Sequence, residues 1–87
     1  MIIQIESYFG HDVLTLIFNE KDTQVSDARI LEIDEISNKF GYNVADQDIN
    51  EEGAEYVRVQ ECNVDNSEKV AKTELLNLVG ELTKKYL

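Results

Sequence analysis

The carboxylates of residues 46–65 are the most concentrated chemical feature of this 87-residue sequence. Seven acids lie in the segment against one base, Arg58, so it contributes −6 to the chain's net charge of −10. Such a run either keeps a solvated loop soluble or forms a surface that attracts a basic partner. The acids are Asp46, Asp48, Glu51, Glu52, Glu55, Glu61 and Asp65.

Metal binding is the first chemistry that this run suggests. Asp46-x-Asp48-x-Asn50 has the alternating oxygen ligands that begin a calcium-binding loop. The glycine falls at Gly53, the eighth position instead of the sixth, and the twelfth position holds Val57 where a bidentate glutamate is needed. One histidine and one cysteine are also too few ligands for zinc. The sequence therefore predicts neither a metal site nor a cofactor.

Nucleophilic catalysis is equally poorly supported. Ser7, His11 and Asp12 carry the groups of a hydrolytic triad, but residues so close in a strand and turn need not converge. We expect His11 to be a solvated turn residue. Cys62 has no histidine or second cysteine near it in the sequence, which favours a small buried apolar residue over a reactive thiol. The chain is therefore not expected to be an enzyme.

The acidic composition restricts the class of partner. With 18 Asp and Glu against 8 Lys and Arg, the chain repels nucleic acids and anionic membranes, so direct binding to either is not expected. The same field attracts basic surfaces, including the grooves in which nucleic-acid enzymes hold their substrates. Residues 1–6 lack the basic region of a signal peptide, and one cysteine cannot form an internal disulfide. These features predict a soluble cytoplasmic protein.

Alternation of apolar and polar residues predicts four strands. Residues 2–9 and 13–18 form a hairpin across a turn at Gly10, and the second strand is apolar on both faces, as strands in the middle of a sheet are. Two further strands are predicted at about 42–47 and 55–62, with the polar stretch between them as their loop.

Apolar residues at spacings of three and four predict two helices. The first is capped by Ser26 and stopped by Gly41. Its apolar stripe is Ile30, Ile33, Ile36 and Phe40. The second is capped by Asn66 or Ser67. Its apolar face is Ala71, Leu75, Leu78, Leu82 and Tyr86.

The element order ββαββα predicts a single α+β domain over residues 1–87. Its two layers are a four-stranded, mainly antiparallel sheet and two helices that cover it. The order is also a circular permutation of the ferredoxin-like one. The strand order within the sheet is left open by the sequence.

In size and charge the chain resembles the DNA-mimic antagonists that phages encode against host nucleases, such as anti-restriction and anti-CRISPR proteins. The resemblance implies a small protein-binding inhibitor that blocks the basic nucleic-acid groove of a larger protein, with carboxylates in place of phosphates. The residues expected to bind this partner come from the acidic run and an adjacent aromatic anchor: Asp46, Asp48, Glu51, Glu52, Glu55 and Tyr56.

A noncatalytic homodimeric adaptor or assembly subunit is the alternative. In that case the charge serves solubility alone, and the chain pairs through its sheet or its last helix. Leu76, Val79 and Leu87 would extend the apolar face of that helix beyond what one core covers. The identity of the target and the oligomeric state are open at this stage.

Overall fold

Four antiparallel strands form one open sheet in the computed structural model, which describes residues 1–8, 10–18, 27–62 and 72–86. The elements in chain order are β1 (Ile2–Tyr8), β2 (His11–Phe18), α1 (Asp27–Asn38), β3 (Tyr42–Ile49), β4 (Glu55–Glu61) and α2 (Lys72–Tyr86). The predicted α+β class and ββαββα order are confirmed.

The strand order in space is β1-β2-β4-β3, so β1 and β3 are the two edges. All three neighbouring pairs are antiparallel. β2, α1 and β3 form a split βαβ unit, because β4 lies between the two parallel strands. β4, the last strand of the chain, is therefore an interior strand. Its neighbour β3 is the edge strand that carries part of the acidic run.

β2 lies inside the sheet because both of its faces are apolar. Leu14, Leu16 and Phe18 alternate with Val13 and Thr15, and all five residues are buried. A strand at the edge of a sheet has a neighbouring strand on one side only. β2 instead pairs with β1 on one side and with β4 on the other. The predicted central position of this strand is confirmed.

Both described helices cover the same face of the sheet. The predicted stripe of α1 places Ile33 in the core, and the predicted face of α2 places Leu75, Leu78 and Leu82 there. The full core is Leu14, Leu16, Phe18, Ile33, Tyr42, Val57, Val59, Leu75, Leu78 and Leu82. No described helix packs on the opposite face, which we call the helix-free face.

The ends of the elements differ from the predictions by a few residues. Tyr8 pairs with His11, so the first turn is shorter than predicted and β2 begins at His11. β3 extends to Ile49, because its polar second half pairs with β4. α1 ends as predicted before Gly41, whose φ is +82°.

Several predicted features lie outside the described residues. They are the helix caps Ser26, Asn66 and Ser67, together with Phe9, Asp65, Ala71 and Leu87. α2 has 15 residues, fewer than the roughly 20 apolar residues that span a bilayer. Among the described residues, no helix is long and apolar enough to cross a membrane.

Candidate functional site

All six predicted partner-binding residues lie on the β3–β4 hairpin, whose residues 46–56 we call the acidic hairpin. Asp46 and Asp48 are exposed on edge strand β3. Two residues of a strand span about 6.6 Å and return to the same face. Asp46 lies opposite Arg58 and Asp48 lies opposite Tyr56. These four side chains therefore share the helix-free face.

The turn of the acidic hairpin is fixed by Asn50. Its side-chain oxygen accepts hydrogen bonds from the backbone N–H groups of Glu52 at 3.0 Å and Ala54 at 2.9 Å. The backbone closes the same turn, since Asn50 N donates to Ala54 O at 2.8 Å and Gly53 N donates to Asn50 O at 3.0 Å. Glu51 and Glu52 are exposed on this turn. Their backbone positions are therefore set before any partner binds.

Gly53→Ala tests how fixed the turn is. Gly53 has φ +84°, and a left-handed residue with a Cβ costs roughly 1–2 kcal/mol. No described atom lies within 4 Å of the added Cβ, so the variant makes no steric clash with a neighbour. The whole cost then comes from the left-handed backbone conformation. We expect urea denaturation to show a loss of about 1–2 kcal/mol in the free energy of unfolding.

The matched control for that variant is Gly80→Ala in α2, which also has open space around the added Cβ. In a helix this change is expected to stabilise the protein by about 0.5–1 kcal/mol. If Gly53→Ala left the free energy of unfolding unchanged, or raised it as Gly80→Ala should, the backbone of the 50–54 turn would not be restrained as described.

The outermost carboxylates of the acidic hairpin have no counter-charge among the residues that the structure describes. Asp46 Oδ2 accepts from Arg58 Nη1 at 3.3 Å. By contrast, no lysine or arginine among the described residues lies within 4.0 Å of Asp48, Glu51 or Glu52. Asp48 accepts only the backbone N–H of Ile49, at 2.8 Å. Three neighbouring carboxylates are thus presented to solvent.

Two carboxylates near the helices, those of Glu32 and Asp12, are paired within the protein. Lys85 Nζ lies 3.3 Å from Glu32, and Lys72 Nζ lies 3.4 Å from Asp12. The Tyr86 hydroxyl also donates to Glu32, and this hydrogen bond is the main cause that lowers the pKa of that carboxyl, with Lys85 adding to it. Other exposed acids, Asp27, Glu35 and Glu81, are spread over the two helices. The densest unpaired negative charge among the described residues is therefore on the hairpin.

Glu55 is the one predicted residue that does not join the others. It lies opposite Ile49 in the hairpin, next to Tyr56 in the chain, and successive strand residues point to opposite faces. Its side chain is therefore directed to the helix side, where it is half-buried. The structure brings Asp46, Asp48 and Tyr56 onto one face, with Glu51 and Glu52 at its end.

A groove of about 810 Å³ lies beside the acidic hairpin on the helix-free face. β1, β2 and β4 supply its floor and the 50–54 turn supplies one end. Its charged and polar lining includes Glu6, Thr15, Glu51, Glu52, Tyr56 and Arg58. Glu6 and Thr15 were not among the predicted site residues, because only the strand order places them beside the hairpin.

Arg58 and Tyr56 form a fixed pair in this groove. The guanidinium carbon of Arg58 lies 5.4 Å from the centre of the Tyr56 ring, within the range of a cation–π contact. The same guanidinium donates to Asp46. Arg58, the one base among the described residues that line the groove, is thus already engaged by an acid and an aromatic ring, and the charge that the other described lining residues contribute is negative.

A second cluster of titratable groups lies where β2 begins and β4 ends. His11 Nδ1 lies 2.6 Å from Glu61 Oε2, and the two side chains are 20% and 3% exposed. The prediction of a solvated His11 was wrong, because Glu61 is distant in the sequence and the β2–β4 pairing brings it close. Among the described residues, no group of His, Cys, Asp and Glu could hold a metal ion.

Tyr42 is buried beside this cluster, and its hydroxyl has no hydrogen-bond partner among the described residues. Burial, followed by the charges of Glu61 and Asp12, raises its pKa to about 12 from the ordinary 10.0. The neutral phenol is therefore the form present in the folded protein at neutral pH.

Tyr42→Phe is expected to stabilise the protein at neutral pH, by about 1 kcal/mol, because it removes a buried unpaired hydroxyl. Since the unfolded chain loses the Tyr42 proton first, the stability of the wild type falls as pH rises from about 10 to about 12. The variant should show a smaller fall over this range. Urea denaturation at several pH values measures both effects, and an unchanged slope would contradict the burial of this phenol.

Cys62 follows the last residue of β4 and is exposed, so the prediction of a buried cysteine was wrong. Its backbone N–H donates to Gly41 O at 3.0 Å. Partial desolvation, and secondly the Asp34 carboxylate, raise the pKa of its thiol. The thiolate, which is the nucleophilic form, is disfavoured at this position.

The acidic hairpin and its groove offer hydrogen-bond acceptors and negative charge, which suit the binding of a cationic group. No protein-family model, curated protein or solved structure matches this chain.

Proposed function

We propose that the protein is a small acidic inhibitor that occupies the basic nucleic-acid groove of a larger protein, as anti-restriction and anti-CRISPR DNA mimics of phages do. One observation carries the proposal. Asp48, Glu51 and Glu52 are exposed together on a hydrogen-bonded hairpin without a described cation partner, whereas Asp12 and Glu32 near the helices are paired internally.

The mechanism follows from charge and rigidity. The net charge of −10 steers the protein toward a positive surface and raises the rate of association. Carboxylates then replace phosphates on the arginines and lysines of the partner, with bidentate contacts to arginine. Because Asn50 already holds the turn, little backbone entropy is lost on binding. This action involves no catalysis, and we place it in the cytoplasm, where intracellular nucleases act.

Capture from a lysate of the source cell tests this proposal. Immobilised wild type should retain a basic nucleic-acid-binding protein that elutes as salt is raised, because exposed charge pairs are screened. A column with Glu51→Lys/Glu52→Lys should not retain it. Retention of the same protein by both columns would contradict a role for the hairpin.

A homodimeric adaptor is the second candidate, favoured by exposed apolar residues away from the hairpin. Ile2 and Ile5 on edge strand β1 are 45% and 46% exposed, and Leu76 on α2 is 57% exposed. Val79 packs partly against the core, so less of the α2 face is free than the sequence indicated. Light scattering separates the candidates, since an apolar dimer persists at high salt and the proposed inhibitor needs no dimer.

A further inference from the structure

An apolar groove of about 410 Å³ lies between α1 and the edge strand β3. Ile30 and Val44 line it, are half-buried and pack against the core. Leu31 also lines it and is 59% exposed. A ligand in this groove would therefore cover a leucine that the described fold leaves in contact with water.

The apolar surface continues along β3 beyond the groove. Gln47 lines the groove, and Ile49 follows it by two positions, which places the two side chains on the same face about 6.6 Å apart. This is the helix side of the sheet, because Gln47 lies opposite the core residue Val57. Ile49 is 60% exposed. Single exposed apolar residues are ordinary on protein surfaces, but an apolar groove that continues into a further exposed residue is a surface that a partner can cover.

The charge around the groove is negative. Asp27 and Asp34 line it, and no lysine or arginine is among its described lining residues. Asp46 and Asp48 lie on the other face of the same edge strand, opposite Arg58 and Tyr56. A basic partner that covers the edge of β3 therefore meets the apolar groove on one face and carboxylates on both.

The hydrogen bonds of β3 disfavour the addition of a further strand at this edge. The backbone N–H of Val44 donates to Asp34 Oδ1 at 2.9 Å, and that of Ile49 donates to Asp48 Oδ1 at 2.8 Å. A strand paired along the whole of β3 would have to displace both carboxylates. A side chain that enters the groove leaves both hydrogen bonds in place, so the partner is expected to bind through side chains.

Resting on the function proposed above, we propose that this groove receives a leucine-sized apolar side chain of the target protein, from a segment in which basic residues flank it. The apolar side chain would contact Leu31 and Val44, and the flanking lysines or arginines would contact Asp27 and the carboxylates of β3. Salt screens the exposed charge pairs but not the burial of apolar surface. The groove therefore adds a salt-resistant part to the binding that the acidic hairpin begins.

Chemical-shift titrations of the full chain with three capped peptides test this inference. The peptides are Gly-Arg-Leu-Arg-Gly, Gly-Arg-Ser-Arg-Gly and Gly-Glu-Leu-Glu-Gly. The first should shift the amides of Leu31, Val44 and Gln47, and it should bind about threefold more tightly than the serine peptide, because leucine buries apolar surface. The glutamate peptide should not bind, because the carboxylates around the groove repel it.

Leu31→Gln removes the exposed apolar side chain and keeps a good helix former on α1. It should remove the difference in affinity between the leucine and serine peptides. Leu76→Gln is the matched control, since Leu76 lies on α2 and is 57% exposed, close to the 59% of Leu31. The control should keep the wild-type difference. Both variants should keep the wild-type free energy of unfolding, because both leucines are exposed.

Equal affinities of the leucine and serine peptides for the wild type, or equal effects of Leu31→Gln and Leu76→Gln, would overturn the inference. Binding of the glutamate peptide, or the absence of any shift, would overturn it as well. Each of these results leaves the proposed function standing, because Glu51 and Glu52 lie on the hairpin turn and do not line this groove. The proposed function fails instead if Glu51→Lys/Glu52→Lys still binds the target that the wild type captures.

Discussion

Glu51→Lys/Glu52→Lys is expected to weaken binding to the basic target by about 100-fold or more. Each glutamate that contacts an arginine or lysine contributes about 1.5–3 kcal/mol, and a lysine in its place repels the same group. Since about 1.4 kcal/mol corresponds to tenfold in affinity, the loss of two such contacts exceeds a factor of 100. The measurement is a titration of the captured target at low and at high salt.

The matched control is Glu35→Lys/Glu81→Lys, which places the same charge change on exposed positions of α1 and α2. Both double variants change the net charge from −10 to −6. The control should lose only the part of the affinity that comes from long-range attraction. Equal losses in the two variants would mean that net charge alone, and not the acidic hairpin, drives binding.

His11→Leu is expected to lower the free energy of unfolding by about 2–4 kcal/mol at neutral pH. The variant leaves the Glu61 carboxylate, which is 3% exposed, without its partner at 2.6 Å. Removal of one partner from a buried pair is strongly destabilising because the remaining charge stays desolvated. Urea denaturation of the variant and the wild type measures the loss.

A double-mutant cycle with Glu61→Gln shows whether the loss belongs to the pair. Glu61→Gln removes the charge, so His11→Leu should cost less in that background, and we expect a coupling energy of about 1–3 kcal/mol. Strictly additive losses would show that His11 stabilises the protein by packing alone.

The elements could be predicted from the sequence because their signals are local. Two apolar faces on β2 specify an interior strand, and the leucines of α2 recur at helical spacing. The polar second half of β3 has no such signal, and pairing with β4 makes it a strand. The strand order β1-β2-β4-β3 depends on tertiary packing, which single-segment patterns do not contain.

The candidate site could be predicted only where its residues are close in the sequence. The acidic run and the Tyr56 anchor lie on one hairpin, and strand alternation alone separates Glu55 from Tyr56. Glu6 and Thr15 reach the groove only because β1 and β2 lie beside β4. The contact between His11 and Glu61 joins residues 50 positions apart in the sequence. The prediction that His11 is solvated could therefore be corrected only once the fold was known.

Competition with nucleic acid on the captured target tests the central claim most directly. If the acidic hairpin occupies the groove that holds the substrate, DNA or RNA bound by the target should displace this protein. Its apparent Kd should then rise in proportion to the nucleic-acid concentration. A ternary complex, in which the target holds both ligands and the Kd for this protein is unchanged, would contradict the account.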